Sequence, residues 1–162
     1  VASVGCRDEQ LAEALYALYM RQRFEGIALY PDVIPTLDAL RGDLTIGFLS
    51  NGNSYPDRCG LEGHFDFVVL SQEVGVAKPD VGFFRIACER AGCTPGELVH
   101  VGDSLEEDVA GANAVGATSV WLNREGRDNN SGIVPDYEIR SLSHVADILH
   151  RDDRAAPGAG RR

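Results

Sequence analysis

The sequence predicts an α/β fold in which a parallel sheet is flanked by helices. Apolar runs typical of strands alternate with amphipathic helical segments, and short polar links join them. The apolar runs are nearly continuous, as expected for strands that are covered on both faces. The length of 162 residues fits a single domain.

The predicted elements follow one another in a regular order. Strands are predicted from apolar runs bounded by turn residues, at 44–50, 66–71, 97–103, 118–123 and, as a short edge strand, 137–142. Helices are predicted from apolar residues three and four apart and from capping residues, at 8–24, 35–41, 80–92, 105–116 and 143–150. Ligands of such sheets bind at the carboxyl ends of the strands, so these ends are the candidate site.

The charge of the chain excludes two classes of partner. It has 15 Lys and Arg residues against 25 Asp and Glu residues, which gives a net charge of −10. Nucleic acids and anionic membranes attract basic surfaces, so neither is an expected partner. No apolar run approaches the roughly 20 residues of a membrane span, and the first residues lack the pattern of a signal peptide. We therefore expect a cytoplasmic protein.

Residues suited to binding phosphate occur at two places. Ser50, Asn51 and Gly52 end the first strand and offer a hydroxyl and backbone amides to phosphate oxygens, although a serine-capped turn has the same pattern. Lys78 is the only lysine among the 15 basic residues, and it precedes Pro79 at the start of a helix. A compact ammonium charge kept at this one position favours a functional role over a surface role.

Two carboxylates mark the end of the third strand. Asp103 ends this strand, and Asp108 follows five residues later. Such a pair suits Mg²⁺, which takes oxygen ligands and keeps several waters, and it equally suits the start of a helix. Together, the three groups favour phosphoryl transfer, because a metal and an ammonium neutralise oxygens that a hydroxyl and amides orient.

In the order of its motifs, the chain resembles the haloacid dehalogenase superfamily, in the phosphatase-like branch with a helical cap. FLSNG, VAKPD and VGDSLEED, the last followed by VAGANAVGATSVWLNREG, are similar to that family's second, third and fourth motifs. YPDVIPTLDALRG resembles the hinge where the family's chain returns from cap to core. The resemblance covers about residues 8–150 and implies a Mg²⁺-dependent phosphatase that acts on a small phosphorylated metabolite.

The resemblance also implies a role for each candidate residue. The catalytic residues would be Ser50, which hydrogen-bonds the phosphoryl group, and Lys78, which holds the nucleophile and the phosphate together. The phosphate-binding set would be Ser50, Asn51, Gly52 and Lys78. Mg²⁺ would be bound by Asp103 and by Asp108, the latter directly or through water.

The family's nucleophile motif is missing from the chain. In the family, a D-x-D-x-T/V segment ends a first strand that lies between the strands represented here by 44–50 and 97–103; its first Asp attacks phosphorus, and its second is the general acid and base. The chain contains no D-x-D, and neither Asp32 nor Asp38 ends an apolar strand. We therefore expect that the chain is truncated and that residues upstream of it supply the nucleophile. We also expect the chain alone to be inactive. Otherwise the two strands close up, or another segment fills the gap.

The implied organisation is a remnant of the helical cap and hinge at 1–30, an incomplete α/β core at 31–150, and a flexible tail at 151–162. Exposed strand edges beside the gap favour a homodimer. An alternative function is a non-catalytic module that binds a phospholigand or a protein on a degenerate fold of this family. A phosphoacceptor receiver domain with Asp103 as the acceptor ranks last, because further acids are missing from the first strand.

Overall fold

The computed structural model describes residues 8–52 and 54–149. In it, strands and helices alternate as the sequence predicts. The strands are β1 (Gly47–Ser50), β2 (Phe67–Leu70), β3 (Val99–Gly102), β4 (Thr118–Leu122) and β5 (Tyr137–Ile139). The helices are α1 (Glu9–Phe24), α2 (Val33–Leu40), α3 (Ser71–Val74), α4 (Val81–Ala91) and α5 (Ala110–Val115), and residues 145–149 are also helical. The predicted tail at 151–162 and the first seven residues of the predicted cap remnant lie outside the described residues.

Several element boundaries differ from the predicted ones. β1 begins at Gly47, three residues later than predicted. Ser71 was predicted to end a strand, but it begins the unpredicted helix α3 and donates its hydroxyl to the Asn51 backbone oxygen at 2.7 Å. Glu97 lies in a 3₁₀ turn instead of a strand, because its carboxylate accepts from the backbone nitrogen of Thr94 at 2.8 Å.

The strands form two separate parallel ladders. β1 pairs with β2, while β4 pairs with β3 on one side and with β5 on the other. Within the described residues no ladder joins β1 to β3, so the sheet is broken between them. The two strands have therefore not closed up on each other. The break lies where the family resemblance places the first strand, and an upstream segment in that position stays a prediction.

Helix α4 connects the two ladders through its buried aromatic side chains. Phe83 packs against Val69 of β2, and Phe84 packs against Ala112 of α5. Leu49 of β1 packs against both of these clusters. Phe83 and Phe84 are both 0% exposed, and fully buried aromatic side chains contribute strongly to a core. α4 therefore holds the carboxyl end of β1 close to the second ladder.

A polar cluster fastens the segment after α1 to the second ladder. The Asp32 carboxylate accepts two hydrogen bonds from the Arg124 guanidinium, at 2.9 and 3.1 Å, and one from the Ser141 hydroxyl at 2.6 Å. It also accepts from the Leu142 backbone nitrogen at 2.8 Å. The hydrogen bonds from Arg124 hold the pKa of Asp32 well below its usual range. Residues far apart in the chain are thus joined by one ionised carboxylate.

Candidate active site

Lys78 is held in place by the side chain that follows β1. Asn51 Nδ2 donates to the Lys78 backbone oxygen at 2.8 Å, and Asn51 Oδ1 accepts from the Lys78 backbone nitrogen at 2.7 Å. Asn51 Nδ2 also donates to the Glu107 carboxylate at 2.9 Å. Asn51 therefore links the end of β1, the turn before α4 and the segment after β3. Both hydrogens of Nδ2 are used in these bonds, so the donor that Asn51 can offer to a phosphate is its backbone amide.

The ammonium of Lys78 forms a buried ion pair. Lys78 Nζ lies 2.6 Å from Asp108 Oδ1, and the two side chains are 10% and 4% exposed. His100 Nε2 is 2.8 Å from the same oxygen, and the Ser104 backbone nitrogen donates to Asp108 Oδ2 at 3.1 Å. Burial alone would raise the pKa of Asp108, but His100 and Lys78 outweigh it and hold this pKa well below its usual range. Asp108 is thus an ionised carboxylate with donors on both oxygens.

Asp108 reaches Lys78 because of two local features. It lies in a π-helical turn, Leu105–Val109, which precedes α5 where a single regular helix was predicted. Ser104 caps this turn by accepting from the Glu107 backbone nitrogen at 3.1 Å. Gly102 leaves the space that the carboxylate occupies, since a Cβ there would lie 2.1 Å from Asp108 Cγ. The glycine of VGD is therefore required by close packing.

Replacing Gly102 with Ala is expected to lower the free energy of unfolding by about 1–3 kcal/mol, as overpacking does in other proteins. The added methyl group would push Asp108 away from Lys78. Urea unfolding measures this loss, and Gly96→Ala is the matched control because a Cβ at Gly96 meets nothing within 4 Å. Equal stability of the two variants would show that Gly102 is not needed for this packing.

The other predicted site residues are placed less closely. Ser50 is half-buried, and its Oγ accepts from the Gly52 backbone nitrogen at 3.1 Å. Asp103 is exposed just after β3, and its backbone oxygen accepts from Trp121 Nε1 at 3.1 Å. The structure therefore brings Asn51, Lys78 and Asp108 into one hydrogen-bonded network, beside Ser50 and Gly52, and leaves the Asp103 side chain in solvent.

Sequence analysis missed His100 and Glu107. His100 is buried in β3, where its ring meets Phe84 edge to face with a centroid distance of 5.0 Å. A histidine inside an apolar strand was a signal that could have found it, since a buried imidazole needs a hydrogen-bond partner. Glu107 is exposed, and its carboxylate accepts a hydrogen bond from Asn51 Nδ2. No sequence pattern announces that contact.

The site offers part of a coordination shell for Mg²⁺. Across residues 8–52 and 54–149, no three His, Cys, Asp or Glu side chains lie close enough together to hold a metal ion. Mg²⁺ is often bound by one or two carboxylates together with waters and substrate phosphate oxygens, so a full cage is not required. The free carboxylate of Asp103 fits direct ligation. Asp108 fits ligation through Oδ2, directly or by way of a water, because Oδ1 already accepts from Lys78 and His100.

The fold and this network define an α/β protein whose polar site lies at the carboxyl ends of parallel strands. A family model for haloacid dehalogenase-like hydrolases matches residues 4–116. The chain therefore belongs to the haloacid dehalogenase-like hydrolase family. Among solved structures, a 2-haloacid dehalogenase from Pseudomonas syringae pv. Tomato DC3000 superimposes with a TM-score of 0.85 at 33% identity, over 93% of this chain and 66% of that one.

Two of the curated relatives are a nucleotidase and a phosphatase. The chain is 37% identical over 125 residues to pyrimidine 5'-nucleotidase YjjG of Escherichia coli (strain K12), which covers 74% of this chain and 56% of the relative. It is 35% identical over 152 residues to glyceraldehyde 3-phosphate phosphatase of Methanopyrus kandleri, which covers 88% of this chain and 65% of the relative. The chain thus spans 56–65% of the length of these two relatives.

Proposed function

We propose that the chain belongs to a Mg²⁺-dependent phosphatase that acts on a small phosphorylated metabolite. The observation that carries this proposal is the Lys78 ammonium, which Asn51 and Asp108 fix next to the carboxyl end of β1. Asn51, which holds Lys78, directly follows Ser50, and a fixed cation together with a hydroxyl is suited to a phosphoryl group and its transition state. Relatives named as phosphatases of small phosphorylated compounds support the same substrate class.

In this proposal each residue has one task. Ser50 donates its hydroxyl to a phosphoryl oxygen, and the backbone amide of Asn51 faces the same group. The Gly52 amide donates to Ser50 Oγ and therefore orients that hydroxyl. Lys78 neutralises negative charge on the phosphoryl group and on the attacking carboxylate. Asp103 and Asp108 would hold Mg²⁺, which when bound would neutralise further charge on the phosphoryl oxygens.

The nucleophile is proposed to come from outside these residues. The chain has no D-x-D segment, and the carboxylate of Asp108 is already paired with Lys78. Asn51 and Asp108 come from opposite sides of the break between β1 and β3. A parallel strand placed in that break would end beside Lys78, where its carboxylate could attack phosphorus.

A turnover assay with p-nitrophenyl phosphate and Mg²⁺, together with calorimetric titration of inorganic phosphate, tests this proposal. The chain is expected to bind phosphate and to show no turnover. Turnover that disappears in Lys78→Met would contradict the missing nucleophile and support a complete enzyme. Absence of both binding and turnover would favour the protein-binding alternative.

Addition of Mg²⁺ is expected to change the fluorescence of Trp121, the only tryptophan in the chain. Its indole nitrogen donates to the Asp103 backbone oxygen at 3.1 Å, so a cation on the Asp103 carboxylate alters the field at the ring. The change should saturate in the wild type and be absent from Asp103→Asn. An equal change of fluorescence in both proteins would show that Asp103 does not bind the metal.

The oligomeric state and the location of the protein are proposed from its sequence. No helix in the described part of the chain is long and apolar enough to pass through a bilayer. A homodimer through the open edges of β1 and β3, and a cytoplasmic location, are proposed on the sequence arguments given above. Light scattering of the purified chain measures the first of these directly.

A further inference from the structure

The guanidinium of Arg23, in the last turn of α1, lies next to the phosphate-binding residues 50–52. Arg23 Nη2 is 3.1 Å from Ser54 Oγ, and Nη1 is 3.3 Å from the Tyr19 hydroxyl. A Cβ at Gly52 would lie 3.4 Å from Nη2 and 3.8 Å from Ser50 Oγ. The Arg23 guanidinium and the Ser50 hydroxyl therefore flank Gly52.

Among the residues that the structure describes, no carboxylate pairs with the charge of Arg23. Arg23 donates hydrogen bonds to two uncharged hydroxyl groups, those of Tyr19 and Ser54, and the carboxylate oxygens of the described residues lie beyond 4.0 Å. The charge of Lys78, in contrast, is paired with Asp108 at 2.6 Å. In a chain with a net charge of −10, an arginine without a carboxylate beside a phosphate site is available to an anionic ligand.

We propose that Arg23 is a substrate-binding residue that donates to an anionic oxygen of the ligand held at residues 50–52. This inference rests on the proposed function and adds a specificity determinant on α1. The planar guanidinium presents paired donors that match a phosphate or a carboxylate. The anionic oxygen belongs either to the phosphoryl group itself or to a carboxylate next to it in the substrate.

Calorimetric titration of the chain with three probes tests the inference: inorganic phosphate, O-phosphoserine and O-phosphoethanolamine, which lacks the carboxylate of O-phosphoserine. Arg23→Gln is expected to weaken binding of at least one probe about tenfold, and Arg23→Lys to recover part of the loss. Arg85→Gln is the charge-matched control, because Arg85 is exposed on α4. A loss confined to O-phosphoserine assigns Arg23 to a carboxylate, and an equal loss for all three assigns it to the phosphoryl group.

Three results would overturn the inference. If Arg23→Gln binds all probes with unchanged affinity while Lys78→Met loses binding, Arg23 does not bind the ligand. The proposed function would still hold in that case. An equal loss of affinity in Arg85→Gln would show that the effect comes from the overall charge of the chain. Failure of the wild-type chain to bind any probe would overturn the inference and the proposed function together.

Discussion

Replacing Lys78 with Met is expected to abolish phosphate binding and to lower the free energy of unfolding by about 3 kcal/mol. The substitution removes the ammonium but keeps the apolar stem of the side chain. It leaves Asp108, whose side chain is 4% exposed, with only His100 and Ser104 as donors. A buried carboxylate that loses its counter-charge destabilises the fold strongly. Calorimetry measures the first effect and urea unfolding the second.

The double variant Lys78→Met with Asp108→Asn separates the two roles of the lysine. A neutral amide at position 108 can accept from the Ser104 backbone nitrogen and donate to a neutral His100. We therefore expect the double variant to recover much of the stability and none of the phosphate binding. Normal phosphate binding by either variant would contradict the role assigned to Lys78.

Replacing Asp32 with Asn is expected to lower the free energy of unfolding by about 2 kcal/mol at pH 7. The ionised carboxylate accepts two hydrogen bonds from Arg124, one from Ser141 and one from the Leu142 backbone. Because the pKa of Asp32 is lowered in the folded state, its stabilisation is present above the unfolded pKa of about 3.9 and is lost as the pH falls below it. The gap between wild type and variant should therefore narrow in acid.

Urea unfolding at pH 7, 4 and 2.5 checks this dependence on pH. Asp43→Asn is the matched control, because Asp43 is exposed and makes none of the hydrogen bonds of the cluster. Other carboxylates titrate equally in wild type and variant, so their effects cancel in the difference. A gap that stays constant from pH 7 to 2.5 would show that the charge of Asp32 does not stabilise the fold.

The order of the elements could be predicted from sequence because apolar periodicity and caps are local properties. Asp80 and Gly92 bound α4 as predicted, and the strands begin and end near the predicted residues. Helix α3, which begins at Ser71, was not predicted, because the Ser71 hydroxyl bonds to Asn51, which is 20 residues away. Contacts over that distance leave no pattern in a local window.

The candidate site likewise contains residues that the sequence indicates and residues that only tertiary contacts reveal. Lys78 and Asp108 could be identified from the rarity of lysine and from the motif that they resemble, and the structure places them in contact. Arg23 could not be identified, since 13 other arginines surround it in the sequence and only folding brings α1 next to Gly52. Residues that act through tertiary contacts therefore required the structure.

The most direct test of the phosphate site is the NMR signal of the Lys78 side chain. Lysine labelled with ¹⁵N gives one side-chain signal, because the chain has one lysine. Titration with inorganic phosphate, with sodium chloride at matched ionic strength as the control, is expected to move this signal until it saturates. A signal that stays in place throughout the phosphate titration, or that moves equally with chloride, would contradict the assignment of Lys78 to phosphate.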